Sequence, residues 1–289
     1  MDGKNLFLLK ERFTTEENYD FSRHSTIGTG GVSRLAIFPK TIEETVELLS
    51  FLEKEGLPFY TLGNLSNVLP SDGVCKRLIV SMKKLTAVDE NFVEAGTTSG
   101  ALIGFCKKHG LSGAEFLFGI PCTLGGALYM NAGVSGEYIA EIVESVTAYI
   151  DGKVEIVPVS ECKYAYKQSV FMQKGVILGA KLRFSRADDK DISHRVAHYA
   201  NRRLHLPKGK SMGCVFKNPP NALAGKLIDG AGLKGMRIGG AVVSKEHANF
   251  IINDRGASAS DIKSLILLVK NAVFAQYKIS LEEEIRYLE

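Results

Sequence analysis

Between Gly119 and Glu137 the chain reads GIPCTLGGALYMNAGVSGE. Five glycines and other small residues fall in this stretch, with apolar residues between them. A backbone with so few Cβ atoms can pass close to a flat or phosphorylated ligand. A second segment, TLGNLSNVLPSDG (61–73), breaks from a strand into a Gly, Asn, Ser, Asn turn. Successive N–H groups in such a turn can point at one spot and form a nest for phosphate oxygens. Taken alone, either stretch is better read as an ordinary turn. TIGTGGV (26–32) carries Gly28 and Gly30, but Ser33 occupies the third fingerprint position and no strand–turn–helix context surrounds it. A Rossmann reading is therefore rejected.

Around these loops the periodicities mix. PKTIEETVELLSFLEKEGLPFYTLG predicts a helix and then a strand. Thr41 caps the helix, Glu44 completes a capping box, Ile42, Val46, Leu49 and Leu52 form one apolar face, and Gly56 ends it. RLIVSM (77–82), FVEAGT (92–97) and GVILGAKLRF read as strands, and Ser99 opens a helix running to Lys108. SVTAYIDGKVEIVPV predicts a hairpin turning at Asp151-Gly152. Ser258 and Asp261 cap a long helix, and ISLEEEIRYL reads as a last strand. The class is α/β or α+β. At 289 residues the chain is long for one core and implies two or three lobes. A boundary falls near residues 186–210, where SRADDKDISHRVAHYANRRLHLPKGKSMG turns polar, His- and Arg-rich and helical.

The net charge of +4 suits small anionic ligands better than nucleic acid. Charges interrupt the apolar run of MDGKNLFLLKERF, so a signal peptide is not expected, and no apolar stretch reaches a membrane span. The 5 cysteines (Cys75, Cys106, Cys122, Cys162 and Cys214) are scattered and form no CxxC pair. That pattern indicates a reducing cytoplasm and no zinc site.

Three further segments carry chemistry-bearing side chains. SMGCVFKNPP (211–220) sets Cys214 in a glycine-flanked turn. Arg195, Arg202, Arg203, His205, Lys208 and Lys210 precede it and Lys217 follows. Such a run is commonly a solvated face, but it could also funnel a ligand with several phosphates. KYAYKQSVF (163–171) holds Tyr166 and Lys167, and LEEEIRYLE holds Glu284, with Glu282 and Glu283 read as exposed.

In order and spacing, LGNLSN, GIPCTLGGALYMNAG, YAYKQSVF, GCVFKNP, AGKLIDGAGLKGMRIGGAVVSKEHANFIIN and EEEIR resemble the UDP-N-acetylenolpyruvoylglucosamine reductase family. The likeness runs from about residue 20 to 288, and the length matches the family's shorter type, which lacks an inserted substrate-covering loop. The resemblance implies an α+β chain with a vanillyl-alcohol-oxidase/p-cresol-methylhydroxylase-type FAD-binding fold of two lobes and a C-terminal α+β substrate-binding lobe. The corresponding divisions are 1–83, 84–187 and 188–278, with the strand near 279–289 returning to the first lobe. It also implies non-covalent FAD, NADPH as hydride donor and a UDP-sugar substrate, in a cytoplasmic monomer without nucleic-acid partner or membrane insertion. Leu62, Gly63, Asn64, Leu65, Ser66 and Asn67, with Gly119, Ile120, Pro121, Cys122, Thr123, Gly125 and Gly126, would hold FAD. NADPH would reduce the flavin and leave, and the UDP-sugar would then accept hydride from flavin N5 on its enolpyruvyl double bond.

By the same resemblance the catalytic residues are Cys214, Glu284 and Lys167, and Tyr166, Lys208, Lys217 and Asn218 bind substrate. The family usually places serine as proton donor where this chain has Cys214. A thiol, with an ordinary pKa of ~8.5, is a reasonable general acid. The competing role for Cys214 is that of a small core residue. Lys167 stands where the family has Arg, supplying charge without the planar two-pronged grip. Asn64 and Leu65 occupy positions where glycine or another small residue is common. Two other readings remain open from sequence: a related FAD oxidoreductase acting on another anionic sugar, and a flavin-binding paralogue without turnover.

Overall fold

The computed structural model describes residues 3–134 and 136–289. In chain order the α-helices are α1 (Gly3–Arg12), α2 (Phe21–His24), α3 (Ile42–Lys54), α4 (Ser99–Lys108), α5 (Leu124–Met130), α6 (Asp189–Arg203), α7 (Ala224–Gly230) and α8 (Ala259–Tyr277). Contacts divide the chain into two compact units. One comprises the described part of Met1–Glu17 with Leu35–Asn64 and Arg77–Leu204; the other comprises Asn18–Arg34, Leu65–Lys76 and His205–Glu289. Each has its own buried apolar cluster.

In the first unit, Phe59–Leu62 pairs in parallel with Leu78–Ser81, which in turn pairs with Ala36 and Ile37. Helix α3 supplies the crossover. Thr41 caps it, accepting from the N–H of Glu44, and Leu48, Leu49 and Leu52 are buried. A second, antiparallel sheet runs Lys153–Pro158, Val143–Ile150, Val176–Leu182, Val93–Glu94. Its first two strands form the expected hairpin, with Ile150 opposite Lys153. Asp151 and Gly152 occupy the turn at φ of 47° and 81°, the left-handed pair that a two-residue hairpin requires.

The expected strand 92–97 is cut to Val93–Glu94. Beyond it Gly96 donates to the carbonyl of Leu85, and a Cβ at Gly96 would lie 2.0 Å from the carbonyl oxygen of Met82. The chain therefore leaves the ladder for a close backbone crossing that only glycine permits.

In the second unit the strands Lys210–Cys214, Phe250–Asn253, Ala241–Val243 and Arg237–Ile238 form an antiparallel sheet in that order. The 19-residue helix α8 buries Ile262, Leu265, Ile266, Val269 and Val273, and Ser258 and Asp261 form the expected capping box. Residues 26–32, rejected as a dinucleotide fingerprint, are a tie into this sheet. Thr26 exchanges bonds with Ser211 (2.7 and 3.1 Å), and Asn253 Nδ2 donates to the carbonyl of Ile27 at 2.9 Å. The expected final strand 279–288 is regular only over Arg286–Leu288, parallel to Val68–Pro70. Before that, the chain bonds to residues 215–217 instead.

Candidate active site

The first unit brings the two glycine-bearing loops together. Asn64 Nδ2 donates to the carbonyl of Pro121 at 2.9 Å. A Cβ at Gly63 would lie 2.2 Å from Thr123 Oγ1, so the loops touch at a point where only glycine fits. Thr123 is buried, bridges Thr98 and caps α5 by accepting from the N–H of Gly126 at 3.4 Å. Gly125 packs on Ala95.

Gly126 differs from these. It lacks a positive φ, and the nearest protein atom to a Cβ built there is 3.6 Å away. A Cβ at this exposed position would make only ordinary contact, so neither backbone conformation nor protein packing demands glycine there.

Cys122 lies in the same loop, and burial pushes its thiol up to about 11. It packs as a neutral group. At Gly119, a Cβ would meet Arg203 Nε at 2.7 Å, so the last turn of α6 covers this end of the loop. Arg195, two turns earlier on α6, pairs with the buried Glu115 at 3.4 Å and with Glu137 at 3.5 Å. The basic run is thus no single strip, because these two arginines are engaged on the loop's own scaffold.

Tyr166 and Lys167 form the tip of a tight turn. Ala165 and Gln168 bond each other's backbone at 3.2 and 3.1 Å. Lys167 takes φ 54° at the third position, where such a turn needs a left-handed residue.

In the second unit, Cys214 ends a bulged strand. Ser211 faces Ile252 and Cys214 faces Phe250, so three steps on one strand oppose two on the other. Gly213, at φ 75°, absorbs the extra residue. Next, Val215 donates to the carbonyl of Asn249 and Glu284 donates to the carbonyl of Val215, each at 2.8 Å. Two backbone bonds therefore place the Cys214 segment beside the Glu284 segment.

Asn249 fixes this arrangement. Its side chain accepts from the N–H of Phe216 at 2.9 Å and donates to the carbonyl of Phe216 at 2.8 Å. Asn67 joins from the other side, donating to the carbonyl of Glu284 at 3.2 Å and accepting from the N–H of Arg286 at 3.0 Å. Asn249 escaped the sequence reading; its signal was a buried amide within EHANFIIN.

Leu65 is buried at φ 48°. This left-handed position explains why glycine would suit it, and a branched residue there costs about 1–2 kcal/mol that its burial must offset. Lys217 Nζ meets Glu282 at 2.5 Å, and Asn218 Oδ1 accepts from the N–H of Ala224 at the start of α7 (3.0 Å). Lys208 is exposed. Glu283, expected to be free in solvent, is instead half-buried. It takes Lys270 Nζ at 2.7 Å and the Tyr287 hydroxyl at 2.5 Å, and burial together with that bond raises the Tyr287 pKa.

The four other cysteines are buried and Cys214 is half-buried. Burial pushes Cys106 up to about 12 and Cys162 up to about 11. Iodoacetamide at mildly alkaline pH should therefore label Cys214 first, as peptide mapping would show; prior labelling of Cys122 would contradict this packing.

The fold and its loops match an FAD binding domain over residues 33–157, followed over residues 205–288 by the C-terminal domain of UDP-N-acetylenolpyruvoylglucosamine reductase. These matches define the class: an α+β flavoprotein with an FAD-binding domain followed by a distinct C-terminal domain. The reductase of that name from Shouchella clausii is 37% identical over 98% of this chain and 93% of its own length. Its counterpart from Moorella thermoacetica is 38% identical over 93% and 91%. The crystal structure of the Thermus caldophilus reductase superposes with a TM-score of 0.83 at 32% identity, covering 96% of this chain and 99% of that one. The chain belongs to the UDP-N-acetylenolpyruvoylglucosamine reductase family, whose members are FAD-dependent oxidoreductases.

Proposed function

We propose that this chain reduces the enolpyruvyl group of UDP-N-acetylenolpyruvoylglucosamine with NADPH, giving UDP-N-acetylmuramate for peptidoglycan precursors. The observation that carries the reading is the joining of the two glycine-bearing loops beside Gly126, an exposed glycine that neither backbone nor packing requires, within the matched FAD-binding domain. FAD, when bound, carries hydride from NADPH to the substrate double bond.

The remaining work falls to side chains. Lys167 binds the substrate carboxylate and steadies the negative charge that develops as hydride arrives. Cys214 gives a proton to the adjacent carbon, and Glu284, on the neighbouring segment, serves that same end of the reaction. Tyr166, Lys208, Lys217 and Asn218 hold the sugar nucleotide. Residues 62–67 and 119–126 hold FAD without a covalent bond. The division into cofactor lobes 1–83 and 84–187 and a substrate lobe 188–278 belongs to this proposal, as do a cytoplasmic location and a monomeric state. Among the described residues no helix is long and apolar enough to cross a membrane.

The test is direct. Purified protein should be yellow, release FAD into the supernatant on denaturation, and, without oxygen, consume more than one NADPH per flavin only when the enolpyruvyl sugar nucleotide is present. A protein that takes up no FAD would end the reading, and flavin left on the precipitate would show a covalent link. A stable flavoprotein with no turnover would favour a non-catalytic role, and turnover of another anionic sugar alone would favour a different oxidoreductase.

Lys217 gives a finer check. Its partner Glu282 is mostly exposed, whereas Lys217 is largely buried, so a substrate anion can compete for the ammonium group without ordering a new side chain. A charge-assisted contact is worth about 1.5–3 kcal/mol. Lys217→Met should therefore raise KM for the sugar nucleotide about tenfold or more. Unchanged, salt-insensitive binding of both substrates would make this lysine a purely structural partner of Glu282.

A further inference from the structure

Helix α5 has the FAD loop at its start. At its other end Asn131 adopts the left-handed conformation, φ 45° and ψ 58°, and Ala132 donates back to the carbonyl of Ala127 at 2.8 Å. Glycine is the usual residue for such a helix end. Here an asparagine stands instead, only 5% exposed, with both ends of its amide engaged. Oδ1 accepts from the N–H of Ala140 at 3.3 Å, and Nδ2 donates to the carbonyl of Ala165 at 2.9 Å.

That carbonyl is also the one that closes the Tyr166–Lys167 turn, accepting from the N–H of Gln168 at 3.1 Å. A second tie lies four residues on, where Ser169 Oγ donates to the carbonyl of Tyr129 at 2.7 Å. The last turn of α5 therefore grips the Lys167 turn on both flanks. The turn needs that grip, because Lys167 itself is held at φ 54°, a conformation that lysine adopts only at a cost.

We propose that Asn131 is a positioning residue for the reaction: its amide holds the turn that aims the Lys167 ammonium group at the substrate carboxylate, so that one short helix sets both the FAD loop and this charge. The proposal rests on the role given to Lys167 under Proposed function. Asn131→Gly removes the amide but keeps a residue suited to the left-handed helix end.

In the FAD-loaded protein, flavin content and the rate of flavin reduction by NADPH should stay within about twofold of wild type, since α5 and its first turn persist. Reoxidation by the enolpyruvyl sugar nucleotide should slow about tenfold, as expected for a displaced charge. Hydrogen exchange at the Gln168 amide should quicken, a readout independent of turnover. Added to Lys167→Met, Asn131→Gly should slow reoxidation by less than about twofold more. Full additivity of the two losses, or an equal loss in both half-reactions, would overturn the proposal. If Asn131→Gly does not fold, Ser169→Ala removes the second tie and must show the same non-additivity with Lys167→Met. An equal effect of Lys167→Met alone on both half-reactions would instead remove the role of Lys167 itself, a separate failure visible before Asn131 is touched.

Discussion

Cys214→Ala is expected to leave flavin reduction by NADPH nearly intact and to slow the second half-reaction by ~10²–10⁴-fold, the usual cost of losing a general acid. The residue lies at the end of a bulged strand, half-buried, with its segment bonded to that of Glu284 through Val215. A bulge re-aims a side chain that a regular strand would send to the opposite face. Cys214→Ser should keep measurable activity. The two acids should differ in their pH profiles: a thiol, with an ordinary pKa of ~8.5, loses its acid form as pH rises, whereas a hydroxyl stays protonated. The alkaline fall in rate should therefore flatten in the serine variant. Near-wild-type turnover by the alanine variant would make Cys214 a packing residue and move the proton to Glu284 or water.

Lys167→Met is expected to slow flavin reoxidation by substrate ~10²–10³-fold, the cost of removing one donor from a developing oxyanion. Flavin reduction by NADPH should change far less. The contrast matters because Lys167 sits in a turn anchored to α5, and a general loss of structure there would reach the glycine-bearing loop at the start of that helix, where FAD is proposed to bind, and impair both half-reactions. Lys167→Arg should be tolerated or beneficial, since arginine adds a two-pronged grip on the carboxylate. A collapse on that change would mean that the surroundings are built for the shorter hydrogen-bonding reach of lysine.

Much of this was legible in the sequence where local chemistry decides the outcome. The Thr41 N-cap, the Ser258–Asp261 capping box and the Asp151-Gly152 turn formed as read, because each is set by residues within a few positions; the box expected at Thr41 did not, since the Glu44 carboxylate accepts from the N–H of Lys40 at 2.8 Å instead. The joining of residues 63–64 to residues 121–123 was legible only through the resemblance. Its physical sign, a glycine that cannot bear a Cβ against Thr123, depends on contacts about sixty residues apart.

What escaped was long-range. The strand reading of 279–288 failed because the chain first bonds to residues 215–217 and only then joins Val68–Pro70. The solvated reading of Glu283 failed because Lys270 and Tyr287 lie beside it in the fold. The turn at Tyr166-Lys167 could not be read from sequence, because Lys167 accepts a left-handed φ that no lysine advertises. Asn131 and Asn249 looked like ordinary polar residues, and only burial with both amide ends bonded marks them as braces.

The central claim, that this chain passes hydride from NADPH to an enolpyruvyl sugar nucleotide, is tested most directly by two additions to the anaerobic protein. NADPH should bleach the flavin absorbance. UDP-N-acetylenolpyruvoylglucosamine, added after the oxidised nicotinamide is removed, should restore it and yield one UDP-N-acetylmuramate per flavin. Bleaching without recovery on the sugar nucleotide, with recovery on admitting oxygen, would contradict the account.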